Sequence, residues 1–93
     1  MQNYQYPIEL YWTYDEMNQV VKLWHSVELA YETGINRAEF LNHYRAFKEV
    51  VPSKGEEKSY AREFEKASGY SLYQVVKEAR ASDKQKIKLE KRR

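Results

Sequence analysis

Apolar and polar positions alternate at the start of the chain and then change period. Over residues 1–12, Tyr4, Tyr6, Ile8, Leu10 and Trp12 fall on one side of an extended backbone. Pro7 interrupts that run and removes a donor, so the segment reads as an extended arm lying across helices rather than a sheet strand. From Met17 onward the apolar residues recur at three- and four-residue steps. Met17, Val20, Val21, Trp24, Val27 and Tyr31 form a helical stripe, and Gly34 closes it. A second stripe holds Phe40, Leu41, Tyr44, Phe47 and Val51 and ends at Pro52. A third is thin, with Tyr60, Ala61, Phe64 and Ala67 set among dense charge, and Gly69 stops it. A fourth holds Leu72, Val75, Val76 and Ala79.

Each stripe begins with the same local signal. Thr13 with Glu16, Asn36 with Glu39, Ser53 with Glu56 and Ser71 with Gln74 have the spacing of a capping box. In that arrangement the first side chain accepts from a free backbone N–H and the second reaches back. Apolar pairs flank the caps at Trp12/Met17, Ile35/Phe40 and Tyr70/Val75, where they would staple the entering chain. The pattern predicts helices over about 14–33, 37–50, 54–68 and 72–81. No second strand candidate appears. The expected fold is all-α: a small bundle of three to four helices with an extended N-terminal arm, residues 1–12, in one domain over residues 1–82. Residues 83–93 keep only Ile87 and Leu89 among charges and read as a basic tail, a frayed helix or disordered.

Composition adjusts this picture in three places. The chain has 93 residues, so its core is small and its stability margin narrow. It has no cysteine, which removes disulfides and thiolate metal sites and fits a cytoplasmic setting. No apolar run is long enough to span a membrane, and the first residues lack the signature of a signal peptide. The net charge of +2 is unevenly spread: six bases against two acids in residues 83–93 leave +4 there and −2 in residues 1–82. Nine tyrosines are many for this length; they suit either core packing or a binding surface, and packing is the stronger reading.

Candidate chemistry is sparse. Isolated glycines make no phosphate loop, and no nucleophile motif is present. Glu39 and His43 share a helical face, but His25 would have to arrive from another helix, and the spacing matches no known ligand set. No metal, cofactor or catalytic residue is therefore assigned. Ser53 and Lys54 open a helix whose free donors could hold an anion, yet Glu56 and Glu57 already occupy that end and would repel one. The turn at Ser68-Gly69-Tyr70-Ser71 invites a helix-turn-helix reading, weakened by Glu65 where such helices need a small residue to cross. At the proline corner of residues 44–58, Lys48, Glu49, Lys54 and Lys58 have no structural task and form the candidate interaction surface. The expectation is a non-enzymatic interaction or adaptor protein with an unidentified protein partner. The alternative is nucleic-acid binding through Lys77, Arg80, Lys84, Lys86, Lys88, Lys91, Arg92 and Arg93.

Several segments carry a family resemblance. They are Tyr4-Gln5-Tyr6-Pro7-Ile8; Trp12-Thr13 with Glu16; Val27-Glu28 followed by Ala30-Tyr31-Glu32; Tyr44 and Phe47 to Lys54 with Glu56-Glu57-Lys58; and Phe64-Glu65 with Ser68-Gly69-Tyr70-Ser71, Tyr73 and Val76-Lys77. In this order they resemble the YktA-like proteins of Bacillus relatives, an uncharacterised family of small bacterial proteins. Gly55 departs from the alanine expected there, and the basic tail lies outside the match. The resemblance implies a small all-helical domain in a bacterial cytoplasm. It implies no activity and carries over no site residue.

Overall fold

A computed structural model describes residues 5–90. Four helices follow the arm in chain order: α1 (Tyr14–Glu32), α2 (Arg37–Val50), α3 (Lys54–Ser68) and α4 (Leu72–Ala81). Two-residue strands stand before α2 and after α4, β1 (Ile35–Asn36) and β2 (Lys86–Ile87).

The helices start where the caps place them. Thr13 Oγ1 accepts from Glu16 N at 3.1 Å, and Glu16 Oε1 accepts from Thr13 N at 2.8 Å, completing a box. At Asn36, Ser53 and Ser71 the cap side chain accepts from the third helical N–H, and it is this half of the expected box that forms. Pro52 holds Val51 at φ −124°, ψ 75°, outside the helical region, so α2 stops at Val50.

Trp24 is the centre of the core. Its ring stacks on Phe64 at 4.7 Å between centroids and meets Phe47 edge-on at 5.6 Å. Its indole Nε1 donates to the Pro7 carbonyl at 3.1 Å, which ties the arm to a fully buried side chain of α1. Phe40, Leu23, Val20, Val27, Leu72, Val75 and Ala79 close around it. The buried serines are satisfied locally: Ser26 donates to Lys22 O, and Ser68 donates to Phe64 O while accepting from Tyr70 N. Among the described residues no buried side-chain nitrogen or oxygen lacks a partner.

Four expectations change. The arm does not keep its alternation. A turn closed by Trp12 N donating to Glu9 O reverses the chain, so Pro7 and Trp12 are buried while Ile8 and Leu10 face outward. On α1 the buried stripe includes Leu23 and Ala30, with Met17, Val21 and Tyr31 on its margins. On α3 Ala67 is exposed, and Glu57 and Ser68 take inward positions.

The fourth change is the segment after α4, which is neither a frayed helix nor a free tail over the described residues. β2 pairs antiparallel with β1, Ile35 opposite Ile87 and Asn36 opposite Lys86. Arg37 N donates to Gln85 O at 2.7 Å and Leu89 N to Ala30 O at 2.8 Å. Ile87 is buried and Leu89 packs on the core, so two apolar residues are enough to dock a strand whose other positions are charged. Gly34, at φ +95°, makes room: a Cβ there would stand 2.5 Å from Lys86 Cε and 3.3 Å from Ile87 O. Lys91, Arg92 and Arg93 lie outside the described residues.

Candidate functional site

Two features stand apart from ordinary core packing, one buried and one exposed. The buried one lies at the proline corner. Glu57, in the first turn of α3, has a side chain only 3% exposed. It accepts from Tyr44 Oη of α2 at 2.6 Å, forms an ion pair with Lys48 of the same helix, and lies near the Tyr73 hydroxyl of α4. Arg80 of α4 sits over the Tyr44 ring at 5.6 Å. Burial opposes ionisation of Glu57, but the bonds from Lys48 and Tyr44 and the charge of Lys48 outweigh it, so its pKa falls below the ordinary carboxylate value. The same arrangement pushes the Tyr44 phenol up, through burial first and then the bond to Glu57.

This is one of four tyrosine–carboxylate tethers. Tyr6 bonds Glu28, Tyr60 bonds Glu9 at 3.0 Å, and Tyr70 bonds Glu32 at 2.9 Å. Each joins an element to a distant one: arm to α1, α3 to arm, and the α3–α4 turn to α1. Burial and the Glu32 bond raise the Tyr70 phenol to about 12. Burial likewise raises Tyr6 and Tyr60, with their carboxylate bonds adding to it. Tyr31 supports the last tether by stacking on Tyr70 at 4.7 Å and accepting from Ser71 N. These groups hold neutral phenols against carboxylates and tie distant elements together.

The exposed feature is the turn between arm and α1. Leu10 is 91% exposed, Tyr14 76%, Tyr11 73% and Ile8 42%. The turn is held from below. Trp12 is buried and meets Tyr60 edge-on at 5.7 Å, and Tyr60 also bonds Glu9 and Tyr11. A rigid base thus presents large apolar side chains to water, where folding gains nothing from them.

The residues expected at the interaction surface divide. Lys48 is committed to Glu57 and also reaches Pro52 O, so it has a structural task after all. Glu49, Lys54 and Lys58 are exposed. Of the nucleic-acid candidates, Lys77 and Arg80 are exposed on α4, and Lys84, Lys86 and Lys88 alternate along the outer side of the docked segment. Lys91, Arg92 and Arg93 lie outside the described residues. His25 and His43 each face a glutamate of their own helix, Glu28 at 3.4 Å and Glu39 at 3.6 Å. Among the described residues no three metal-ligating side chains converge, and no helix is long and apolar enough to cross a membrane.

Sequence reasoning missed both features for opposite reasons. Glu57 reads as a partner of the helix dipole, because first-turn glutamates usually serve it; its spacing from Tyr44 and Lys48 crosses a proline turn and has no periodic signature. Leu10 reads as inward, because the alternation of residues 1–12 carries no mark of the turn that interrupts it. Glu9 and Trp12 close that turn without glycine, so no punctuation marked it.

Comparison with known proteins places the chain. The model of an uncharacterised protein family, UPF0223, matches residues 3–88. The UPF0223 protein YktA of Bacillus subtilis (strain 168) is 52% identical over 86 residues, which are 92% of this chain and 98% of YktA. The UPF0223 protein of Enterococcus faecalis (strain ATCC 700802 / V583) is 51% identical over 89 residues, 96% of this chain and 97% of the relative. That of Streptococcus sanguinis (strain SK36) is 48% identical over 89 residues with the same shares. The match takes in the arm turn, all four helices and the docked β2, and the chain belongs to UPF0223, a family without a characterised function.

Proposed function

We propose that this protein is a small non-enzymatic interaction protein of the cytoplasm and that the turn at Ile8–Tyr14 is its contact surface. The observation that carries this reading is the exposure of Leu10, Tyr11 and Tyr14 on a base held by Trp12 and Tyr60. Aromatic side chains presented on a rigid support bind at low entropic cost, and tyrosine is among the residues that dominate binding energy at interfaces. The absence of cysteine suits a reducing compartment.

The test is affinity capture from a Bacillus subtilis lysate, where a 52% identical relative resides. The intact protein retains a stoichiometric partner; a Leu10→Ser/Tyr11→Ser variant, equally folded by circular dichroism, loses it. Equal retention by both, or no stoichiometric partner over a range of salt, overturns the reading.

A further inference from the structure

Resting on that reading, we infer that the turn at Ile8–Tyr14 is complementary to itself. Its partner is a second copy of this chain, joined to the first across a twofold axis in a weak, closed dimer.

The exposed side chains lie close enough to act as one surface. Trp12 N donates to Glu9 O, so Leu10 and Tyr11 stand at the tip of a closed turn. Tyr14 follows Trp12 by two residues, at most about 7 Å of chain, which is within reach of a tyrosine side chain. At the exposures of Ile8, Leu10, Tyr11 and Tyr14 this surface measures about 500 Å². Two copies face to face would bury about 1,000 Å², the lower bound of a specific interface. That area is too small for an obligate dimer and large enough for one that forms as concentration rises.

A twofold contact requires a patch that matches itself. Leu10 and Ile8 are apolar and pack on their own kind. Residues 8–14 include one charge, Glu9, and its carboxylate accepts from Tyr60, so the patch offers an opposite charge little to pair with. The Tyr14 side chain is exposed, and a phenol both donates and accepts, so it can bond the same group of a second copy.

Other occupants fit less well. A nucleic acid would find no cation among residues 8–14, and a basic segment would find Glu9 turned to Tyr60. The next charge, Asp15, stands in the first turn of α1, where the helix dipole offsets it. A twofold contact at Tyr14 brings the two Asp15 carboxylates nearer each other. Added salt therefore strengthens self-association or leaves it unchanged, whereas it weakens the binding of an oppositely charged partner.

The test is sedimentation equilibrium of the full chain from about 10 μM to about 1 mM, the range of a weak dimer, with Leu10→Ser and Tyr14→Glu beside it. The expected result is a monomer–dimer equilibrium whose dissociation constant rises about tenfold in Leu10→Ser and further in Tyr14→Glu, which sets like charges across the axis. Glutamate suits the first turn of a helix, so the thermal stability of Tyr14→Glu holds while its dimer is lost; Lys58→Glu, on α3, leaves association unchanged. In the Bacillus subtilis lysate the partner captured through Leu10 and Tyr11 is then the 52% identical relative, taken up by exchange of copies and identified by mass spectrometry. A chain that stays monomeric, a dimer indifferent to both variants, association that weakens with salt, or capture of an unrelated protein or a nucleic acid through the turn overturns the inference. If capture depends on Leu10 and Tyr11 while the chain stays monomeric, the inference fails and the contact surface stands; if that capture fails too, both fall.

Discussion

Tyr44 and Tyr11 are the same residue type put to opposite uses. Tyr44 lies between α2 and α3 with its hydroxyl on Glu57 and its ring under Arg80. Tyr11 stands in solvent beside Leu10, with Trp12 and Tyr60 fixing the backbone under it. Tyr6, Tyr60 and Tyr70 follow Tyr44, and Tyr14 follows Tyr11. The difference teaches how a small domain can spend aromatic residues. With little interior to fill, it uses phenols as tethers, each pinning an element to a carboxylate on another. What remains outside, Leu10 and Tyr14 and the exposed part of the Tyr11 ring, is available for contact.

The largest expected effect falls on the buried side of this comparison. Trp24→Ala removes the ring between Phe47 and Phe64 and strands the Pro7 carbonyl, at a cost of about 4 kcal/mol, enough to unfold most of the protein. Urea denaturation at neutral pH measures it, and a loss below about 1 kcal/mol would mean that the arm and helices do not share one core.

Lys48→Ala comes next, because it leaves the Glu57 carboxylate buried without its cation. Breaking a buried pair costs about 3 kcal/mol, and the partial exposure of Lys48 brings this nearer 2 kcal/mol. Tyr44→Phe removes one of the donors to the same carboxylate and costs about 1.5 kcal/mol.

The helices and most of the core can be read from the residues, whereas the tethers and the exposed turn cannot. A cap such as Ser53 is decided by its neighbours within three residues, and a stripe such as Leu72, Val75, Val76 and Ala79 by a local period. Both survive whatever the rest of the chain does. Glu57 and Glu32 look like any surface glutamate until tertiary folding brings Tyr44 and Tyr70 to them. β2 escaped for a related reason. Lys86 and Ile87 are too few to show a strand period, and their pairing with Asn36 and Ile35 spans α2, α3 and α4 in the sequence.

The tethers also give the fold two pH limits. Glu57 has a folded pKa below its unfolded value, so its stabilisation is present above the ordinary carboxylate range and disappears as pH falls through the lowered value. Tyr70 has the opposite sign. Its folded pKa, about 12, lies above the ordinary 10.0, so its contribution is complete below that ordinary value and is lost as pH rises toward about 12. Denaturation midpoints across the acid range should therefore fall less steeply in Glu57→Gln than in the intact protein. On the alkaline side, Tyr70→Phe should flatten the loss above pH 10. An unchanged acid limb in Glu57→Gln would remove the charge of Glu57 from the account.

The smallest effect on stability belongs to the exposed side. Leu10→Ser changes unfolding free energy by no more than about 0.5 kcal/mol, and Tyr11→Ser by about 1 kcal/mol, because the exposed Tyr11 also bonds Tyr60. The central claim is that cohesion and contact reside in different aromatic residues, and one quantitative capture experiment tests it most directly. The amount of partner retained is compared among the intact protein, Leu10→Ser/Tyr11→Ser and Tyr44→Phe at equal folded fraction. The account predicts a loss of about thirtyfold in affinity for the turn variant, the size of one interfacial hot spot, and none for Tyr44→Phe. Retention by the turn variant, or an equal loss in Tyr44→Phe, would contradict it.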